Sequence, residues 1–140
     1  MSRVGRRVAF DYGDVRIGVA VCDPDGILAT PLATLQRKDP KLKSQISLLL
    51  QEYEPVKIYV GRPKLLSGED GSATAKVEEF TVFLTTNFDI PIVWVDERLS
   101  TVGAQRQLYE AGKSAQESKA LIDAAAAVAI LEQGLANESR

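Results

Sequence analysis

The order of the hydrophobic patterns constrains the fold of this chain more than any other feature. Three strand patterns follow one another, at Val8–Asp11, Ile17–Val21 and about Ile27–Leu35, with turn residues between them. Pro31 lies within the third pattern and predicts an edge strand or a bulge, because proline has no N–H to donate to a neighbouring strand. The chain is therefore expected to begin with a three-stranded meander.

Helix and strand patterns alternate after the meander. Asp39 before Pro40 predicts the N-cap of a first helix, which ends before Pro55. The later elements are expected to be a strand at Lys57–Val60, a loop at Gly61–Gly71, a helix from Ser72, a strand at Ile92–Val95, a helix at about Ser100–Ala111 and a last helix from the Ser114/Glu117 capping box through Leu135. This order predicts an α/β fold, with a mixed five-stranded sheet and helices on both faces.

The length and composition suit one globular domain. We assign residues 1–135 to it and expect residues 136–140 to form a frayed tail, in a chain of 140 residues with 45% hydrophobic and 26% charged residues. No apolar run approaches the roughly 18 residues of a membrane span, and the N-terminus enters a strand pattern without a signal peptide. We therefore expect a soluble, cytoplasmic protein without a membrane partner.

Two counts limit the chemistry. The chain has no histidine, which excludes Ser-His and Cys-His nucleophile systems and ordinary histidine-liganded zinc sites. Its one cysteine, Cys22, is interpreted as a small core residue. A net charge of −2 argues weakly against a protein that coats nucleic acid through bulk charge, although local basic clusters remain. These clusters are Arg3/Arg6/Arg7, Arg37/Lys38/Lys41/Lys43 and Arg62/Lys64.

Three carboxylates stand at informative positions. Asp11 ends the first predicted strand and Glu97 follows the last, and ligands of open α/β sheets bind beyond the carboxyl ends of strands. Asp123 lies in a helix beside Ala124, where a buried charge needs a partner, either a shared cation or Lys119 one turn earlier. Because gathered carboxylates repel unless a cation lies between them, the pattern predicts a divalent-metal site. Asp96 is the second choice for the position of Glu97.

The motifs together resemble the YqgF family, the ribonuclease H-like pre-16S rRNA nucleases that are also described as Holliday junction resolvases. The resemblance rests on four segments that span nearly the whole chain: Asp11-Tyr12-Gly13 with Arg16 to Ala20, Val60 to Pro63 with Gly68 and Gly71, Asp96 to Thr101 with Ala104, and Lys119 with Ile122 to Ala126. One departure from related resolvases is that the fourth strand ends without an acid, so that the middle carboxylate must come from the fifth.

The resemblance implies a nuclease with Asp11, Glu97 and Asp123 as catalytic and metal-binding residues. Mg²⁺ or Mn²⁺ held by these carboxylates would support phosphodiester hydrolysis without histidine. Arg16 and Arg98 are interpreted either as ligands of flanking phosphates or as partners of neighbouring acids. Lys119 would orient Asp123 or neutralise the transition state. The implied partners are precursor rRNA, branched DNA and ribosome-assembly factors, with the protein a monomer or a homodimer.

Three other functions were compared with rRNA processing. A Holliday junction resolvase would use the same carboxylates but would need a dimer to cut two strands symmetrically. A non-catalytic module that binds nucleic acid or a transcription factor would not need all three carboxylates. An actin-like kinase would explain Asp11–Val21, but such enzymes hold nucleotide between two domains, and this chain has room for one.

Overall fold

The computed structural model describes residues 5–13, 15–62, 72–96 and 115–138, without the side chains of residues 62, 72–74, 96 and 115–124. This part of the chain contains five strands and three helices. The strands are β1 (Arg7–Tyr12), β2 (Arg16–Cys22), β3 (Ala29–Gln36), β4 (Lys57–Arg62) and β5 (Ile92–Asp96). The helices are α1 (Leu42–Tyr53), α2 (Ser72–Asn87) and α3 (Ala115–Glu138).

The five strands form one mixed sheet in the order β3-β2-β1-β4-β5. Antiparallel pairs join β1 to β2 and β2 to β3, which confirms the predicted meander. Parallel pairs join β1 to β4 and β4 to β5, with Phe10 opposite Val60 and Val60 opposite Trp94. The three parallel strands therefore end at the same edge of the sheet.

Helices cover both faces of this sheet, as predicted. Alternate strand residues pack on α1 and α2 on one face and on α3 on the other, because side chains of a strand alternate in direction. The α1/α2 face buries Phe10, Ile17 and Val60 with Ile46, Phe80 and Leu84. The α3 face buries Ala9, Ala20, Tyr59 and Val95 with Ala127, Ile130 and Leu131.

Strand β3 satisfies both expectations for Pro31. It is an edge strand, and the pairing shifts register where Val19 faces Ala33 but Ala20 faces Pro31. The strand begins at Ala29, two residues later than predicted. Asp23 explains the delay, because its Oδ1 accepts the backbone N–H groups of Ile27 (2.7 Å) and Leu28 (2.9 Å) and holds them in the turn.

The start of α1 differs from the sequence prediction. The helix begins at Leu42 with Lys41 as its N-cap residue, and no side chain caps it. Asp39, the predicted N-cap, instead accepts the Lys41 N–H on Oδ1 at 2.8 Å and the Leu42 N–H on its carbonyl oxygen at 3.0 Å. These bonds close a turn ahead of the helix. Asp39 therefore lies two residues before the N-cap position instead of occupying it. At the other end, Glu54 adopts a left-handed conformation (φ 44°) and terminates the helix.

Helix α3 continues past the predicted end at Leu135. It runs through Glu138, and Glu138 Oε1 contacts Arg7 Nη2 at 3.0 Å and Lys57 Nζ at 3.4 Å. Arg7 is 4% exposed, so the pair is nearly buried. The expectation of a frayed tail is therefore wrong for residues 136–138, because a buried cation on β1 holds the end of the helix.

Several predicted features fall outside this description. They are residues 63–71 of the predicted loop at Gly61–Gly71, the helix at Ser100–Ala111 and the Ser114 cap. The first two residues of that predicted loop, Gly61 and Arg62, instead end β4. Among the described residues, no helix combines the length and the apolar character needed to cross a bilayer.

Helix α3 approaches the sheet closely at Gly134. A Cβ atom on Gly134 would lie 2.8 Å from three atoms of the Tyr59 ring, well inside contact distance. Tyr59 is fully buried, so its ring cannot swing aside. Glycine at this position is required by packing and not by helix propensity.

We predict that Gly134→Ala destabilises the protein by about 1–2 kcal/mol. Overpacking costs about 1–3 kcal/mol and outweighs the gain of at most about 1 kcal/mol from replacing a helical glycine. Urea unfolding measures the change. In a Tyr59→Val background, where the ring is absent, Gly134→Ala should cost much less than it does in the wild type. A stabilising effect of Gly134→Ala alone would show that the helix does not pack closely on Tyr59.

Candidate functional site

Asp11 lies at the edge of the sheet where β1, β4 and β5 end, which we call the rim. Its side chain is 6% exposed. It occupies the α3 face, because Ala9, two residues earlier, belongs to the core beneath α3. The predicted position of Asp11 at the end of the first strand therefore agrees with the fold, and the ligand crevice beside it stays a prediction.

Glycines flank Asp11 on both neighbouring strands. Gly18 of β2 is its direct partner. On β4, Gly61 follows Val60, the partner of Phe10, and so stands level with Asp11. Neither glycine has a side chain, so no strand side chain flanks the carboxylate on the α3 face. Asp11 and both glycines are buried.

The candidate partner Glu97 follows β5 and lies outside the described residues. Strand β4 separates β1 from β5, so their backbones stand two strand spacings apart, about 10 Å. The last residue of β5, Asp96, pairs with Arg62 at the end of β4. The described chain thus leaves β5 at the same rim as Asp11, one residue before Glu97.

The direction of α3 determines how far along the strand direction Asp123 lies. Gly134 packs on Tyr59, and Glu138 contacts Arg7 and Lys57, so the helix runs toward the amino ends of β1 and β4. Asp123 is eleven residues before Gly134, roughly 16 Å back along the helix. Since Asp11 is only about 7 Å beyond the level of Tyr59, the backbone of Asp123 is at or past the rim.

The three predicted ligands are thus described to different extents. Asp11 is described fully, Asp123 by its backbone and Glu97 lies outside the described ranges. Within the described ranges, no group of three acidic or cysteine side chains stands close enough to hold a metal ion. The three-carboxylate site therefore stays a prediction.

The predicted phosphate ligands can be placed in part. Arg16 begins β2 and is half-buried. It lies two residues before Gly18, the partner of Asp11, and therefore on the same face of the sheet as Asp11. Arg98 lies outside the described residues. Lys119 lies in α3, one turn before Asp123, with its side chain outside the description.

The turn between β1 and β2 is held by a residue that the sequence analysis did not assign to the site. The guanidinium of Arg37 lies 4.7 Å from the centre of the Tyr12 ring, and its Nη1 donates to the Gly13 carbonyl at 3.4 Å. The other neighbour of Tyr12 is Phe80 of α2, stacked at 4.6 Å. Arg37 appeared in the sequence only as one of four clustered bases, and no local pattern linked it to Tyr12.

Cys22 behaves as the sequence analysis expected. It is 2% exposed, and its Sγ accepts the Arg7 N–H at 3.2 Å. Burial raises the pKa of the thiol, which keeps it protonated and unreactive at neutral pH. It lies at the end of β2 that is remote from the rim and has no part in the site.

Comparison with known proteins identifies the family. A family model described as "RuvX: Holliday junction resolvase" matches residues 5–137. This chain belongs to the RuvX family. The YqgF resemblance inferred from the motifs is confirmed. The residues that match the family model include all the described helices and strands except the last residue of α3.

Two named relatives are similar over nearly the whole chain. A protein of Streptomyces coelicolor named "Putative pre-16S rRNA nuclease" is 47% identical over 138 residues, which cover 97% of this chain and 83% of the relative. A Rhodococcus opacus protein of the same name is 48% identical over 143 residues, covering 97% and 80%.

A solved structure supports the fold. Thermus thermophilus RuvC in complex with a Holliday junction substrate superposes with a TM-score of 0.60 and 12% identity, covering 96% of each chain. At this identity the likeness establishes the fold alone. The ribonuclease H-like fold expected from the sequence is thereby confirmed.

We predict that Gly13→Ala distorts the turn that follows Asp11 and destabilises the protein by about 1–3 kcal/mol. A Cβ atom on Gly13 would lie 2.7 Å from the Arg16 carbonyl oxygen, which accepts the Gly13 N–H at 2.9 Å. Urea unfolding and the amide chemical shifts of Tyr12 and Arg16 measure the effect.

Gly26→Ala is the matched control for this prediction. Gly26 lies in the turn at the opposite end of β2 with φ 71°, so alanine there is strained as well. The control should lose stability but leave the amide shifts at the rim unchanged. Wild-type stability and shifts in Gly13→Ala would contradict the proposed dependence of the turn on glycine.

Proposed function

We propose that this protein is a divalent-metal-dependent nuclease that hydrolyses phosphodiester bonds and processes the 5′ end of pre-16S rRNA in ribosome biogenesis. The observation that carries the proposal is the position of Asp11, a buried carboxylate at the rim with glycine on both adjacent strands. Family membership and the names of the relatives support the choice of reaction and of RNA.

The donor set suits a hard divalent cation. Mg²⁺ and Mn²⁺ prefer carboxylate oxygens, and Asp11, Glu97 and Asp123 supply only such donors. The bound ions would supply Lewis acidity and a nucleophile at neutral pH, which a chain without histidine needs from elsewhere. Asp11 would supply one of these carboxylates at the rim, between two strands that carry glycine at its level.

Three basic residues would act on the substrate. Arg16 lies on the face of Asp11 and near it along β2, where a guanidinium can bind a phosphate next to the scissile bond. Arg98 is assigned the same role, and Lys119 is assigned to orient Asp123 or to neutralise charge in the transition state. Processing of rRNA in bacteria implies a cytoplasmic location and ribosome-assembly partners.

The alternative substrate is a Holliday junction. It is favoured by the description of the matched family and by the junction bound in the RuvC structure of similar fold. A junction resolvase needs two active sites to cut both strands, so it would act as a dimer. The two functions share the same carboxylates and are separated by substrate and by oligomeric state.

We predict metal-dependent cleavage of labelled precursor 16S rRNA in preference to a four-way DNA junction. Cleavage should require added Mg²⁺ or Mn²⁺ and stop in EDTA, because the proposed catalytic groups are carboxylates that act through metal. Asp11→Asn should abolish it, whereas Asp25→Asn, in an exposed turn at the other end of the sheet, should not. Symmetrical junction cleavage without activity on RNA would support the alternative, and activity in excess chelator would contradict both.

A second prediction tests the metal site without a substrate. At free Mn²⁺ about 100 times the dissociation constant, the wild type should gain roughly 2.7 kcal/mol in free energy of unfolding. Asp11→Asn, Glu97→Gln and Asp123→Asn should each remain folded without metal and gain much less, because each lacks one charged ligand. Thermal melts with and without Mn²⁺ measure the shifts. If Asp123→Asn alone retains the full shift, Asp123 is better interpreted as the partner of Lys119.

A further inference from the structure

Basic side chains continue along the rim from Asp11 toward β3 and α1. We call this surface the basic rim, and it consists of Arg16, Arg37, Lys38, Lys41 and Lys43. The three lysines are exposed. Strand β3 lies two strand spacings from β1, so the surface begins within about 10 Å of the Asp11 strand.

Asp39 is the one acid within residues 36–43, and it is engaged by the backbone and by a side chain. Its Oδ1 accepts the Lys41 N–H at 2.8 Å, and its Oδ2 accepts Gln45 Nε2 at 3.3 Å. The carboxylate therefore closes the turn before α1. The inference below concerns the basic side chains and not the backbone amides of that turn.

Charge is separated along the strand direction. The end of the sheet opposite the rim carries most of the acids of the described connections and helix ends, namely Asp23, Asp25, Glu52, Glu54, Asp89 and Glu138. Three basic residues, Arg6, Arg7 and Lys57, accompany them there. Residues 36–43 at the rim carry four basic side chains and one acid, so this part of the rim is locally positive although the net charge of the chain is −2. Such a local field attracts a polyanion.

The charges on α1 oppose its own stability. Lys41 and Lys43 stand at its start and Glu52 in its last turn, and the helix has no acid in its first turn and no base in its last. The helix macrodipole favours the reverse order. Violations of a local rule are expected where a functional site requires the residues. A bound polyanion would explain why basic residues occupy this end.

Arg37 links the basic rim to the candidate site. Its guanidinium lies over the Tyr12 ring at 4.7 Å, its backbone N–H donates to Val15 at 3.0 Å, and Tyr12 directly follows Asp11. Stacking holds the planar cation in one orientation, which reduces the entropy lost when it binds a phosphate. The surface is therefore partly preorganised beside the β1–β2 turn. Tyr12 and Arg37 lie on the α1/α2 face and the Asp11 carboxylate on the α3 face, so a path between them passes around the rim.

We propose that the basic rim binds the phosphate backbone of the single-stranded RNA that flanks the cleavage point. This inference rests on the proposed nuclease function, and it assigns a path for the substrate from Asp11 past Arg16 and Arg37 to the exposed lysines at the start of α1.

The test is RNA affinity as a function of salt, in EDTA so that no cleavage occurs. The double variant Lys38→Gln/Lys41→Gln should lower the salt slope of log Kobs by about 1.4, since each lost phosphate contact on a single strand contributes about 0.7. At 0.1 M salt the same relation gives a loss of roughly 25-fold in affinity for labelled single-stranded precursor rRNA. Arg6→Gln, an exposed base at the opposite end, is the control and should change affinity less than twofold.

A second variant tests the charge order of α1. Lys43→Glu places an acid in the first turn, so it should raise the Tm by about 2 °C or more while weakening RNA binding. A purely structural lysine would not move stability and affinity in opposite directions. A lower Tm for Lys43→Glu would remove the argument from the macrodipole.

The outcomes separate this inference from the proposed function. If the wild type cleaves RNA but the lysine variants bind with wild-type affinity and salt slope, the basic rim is not the RNA path and the nuclease function stands. If the lysine variants lose affinity as expected but the wild type never cleaves with Mn²⁺, the surface is confirmed and the nuclease function fails.

Discussion

The close packing of α3 on the sheet sets the geometry of both ends of the molecule. Contact between Gly134 and the buried ring of Tyr59 fixes how near the helix lies, and the ion pair of Glu138 with Arg7 fixes its direction. These two contacts orient the helix, so that the chain approaches the rim from Gly134 back to Asp123. Contacts at one end of the sheet thereby place the backbone of a candidate catalytic residue at or past the rim at the other end.

Asp11 is a buried acid whose neighbours on both adjacent strands have no side chains. A carboxylate between large side chains would have no strand-level space beside it, whereas Gly18 and Gly61 place no atoms beyond the backbone there. Glycine weakens a strand, because its backbone loses more conformational entropy on folding and it has no side chain to pack. Both glycines stand beside Asp11, the residue at which the proposed function would need space for a ligand. The two strands are therefore weakened at the position of the proposed site.

Sequence reasoning succeeded where the signal is local. Alternation of apolar residues gave the strands, Pro31 gave the edge and its register shift, and the strand end gave the position of Asp11. It failed for contacts between distant residues. Nothing near Glu138 indicates that Arg7 lies beneath it, and nothing near Arg37 indicates that Tyr12 does. Both are arginines whose partners depend on strand order and helix direction, which a single sequence does not contain.

The strand order also shapes how the proposed site would work. Because β4 lies between β1 and β5, the candidate ligands enter from backbones about 10 Å apart, with Gly61 standing between them. At that spacing, a bound cation could lie between the carboxylates of the proposed site. Such a site has little reason to form by itself, since its charges repel until cations arrive.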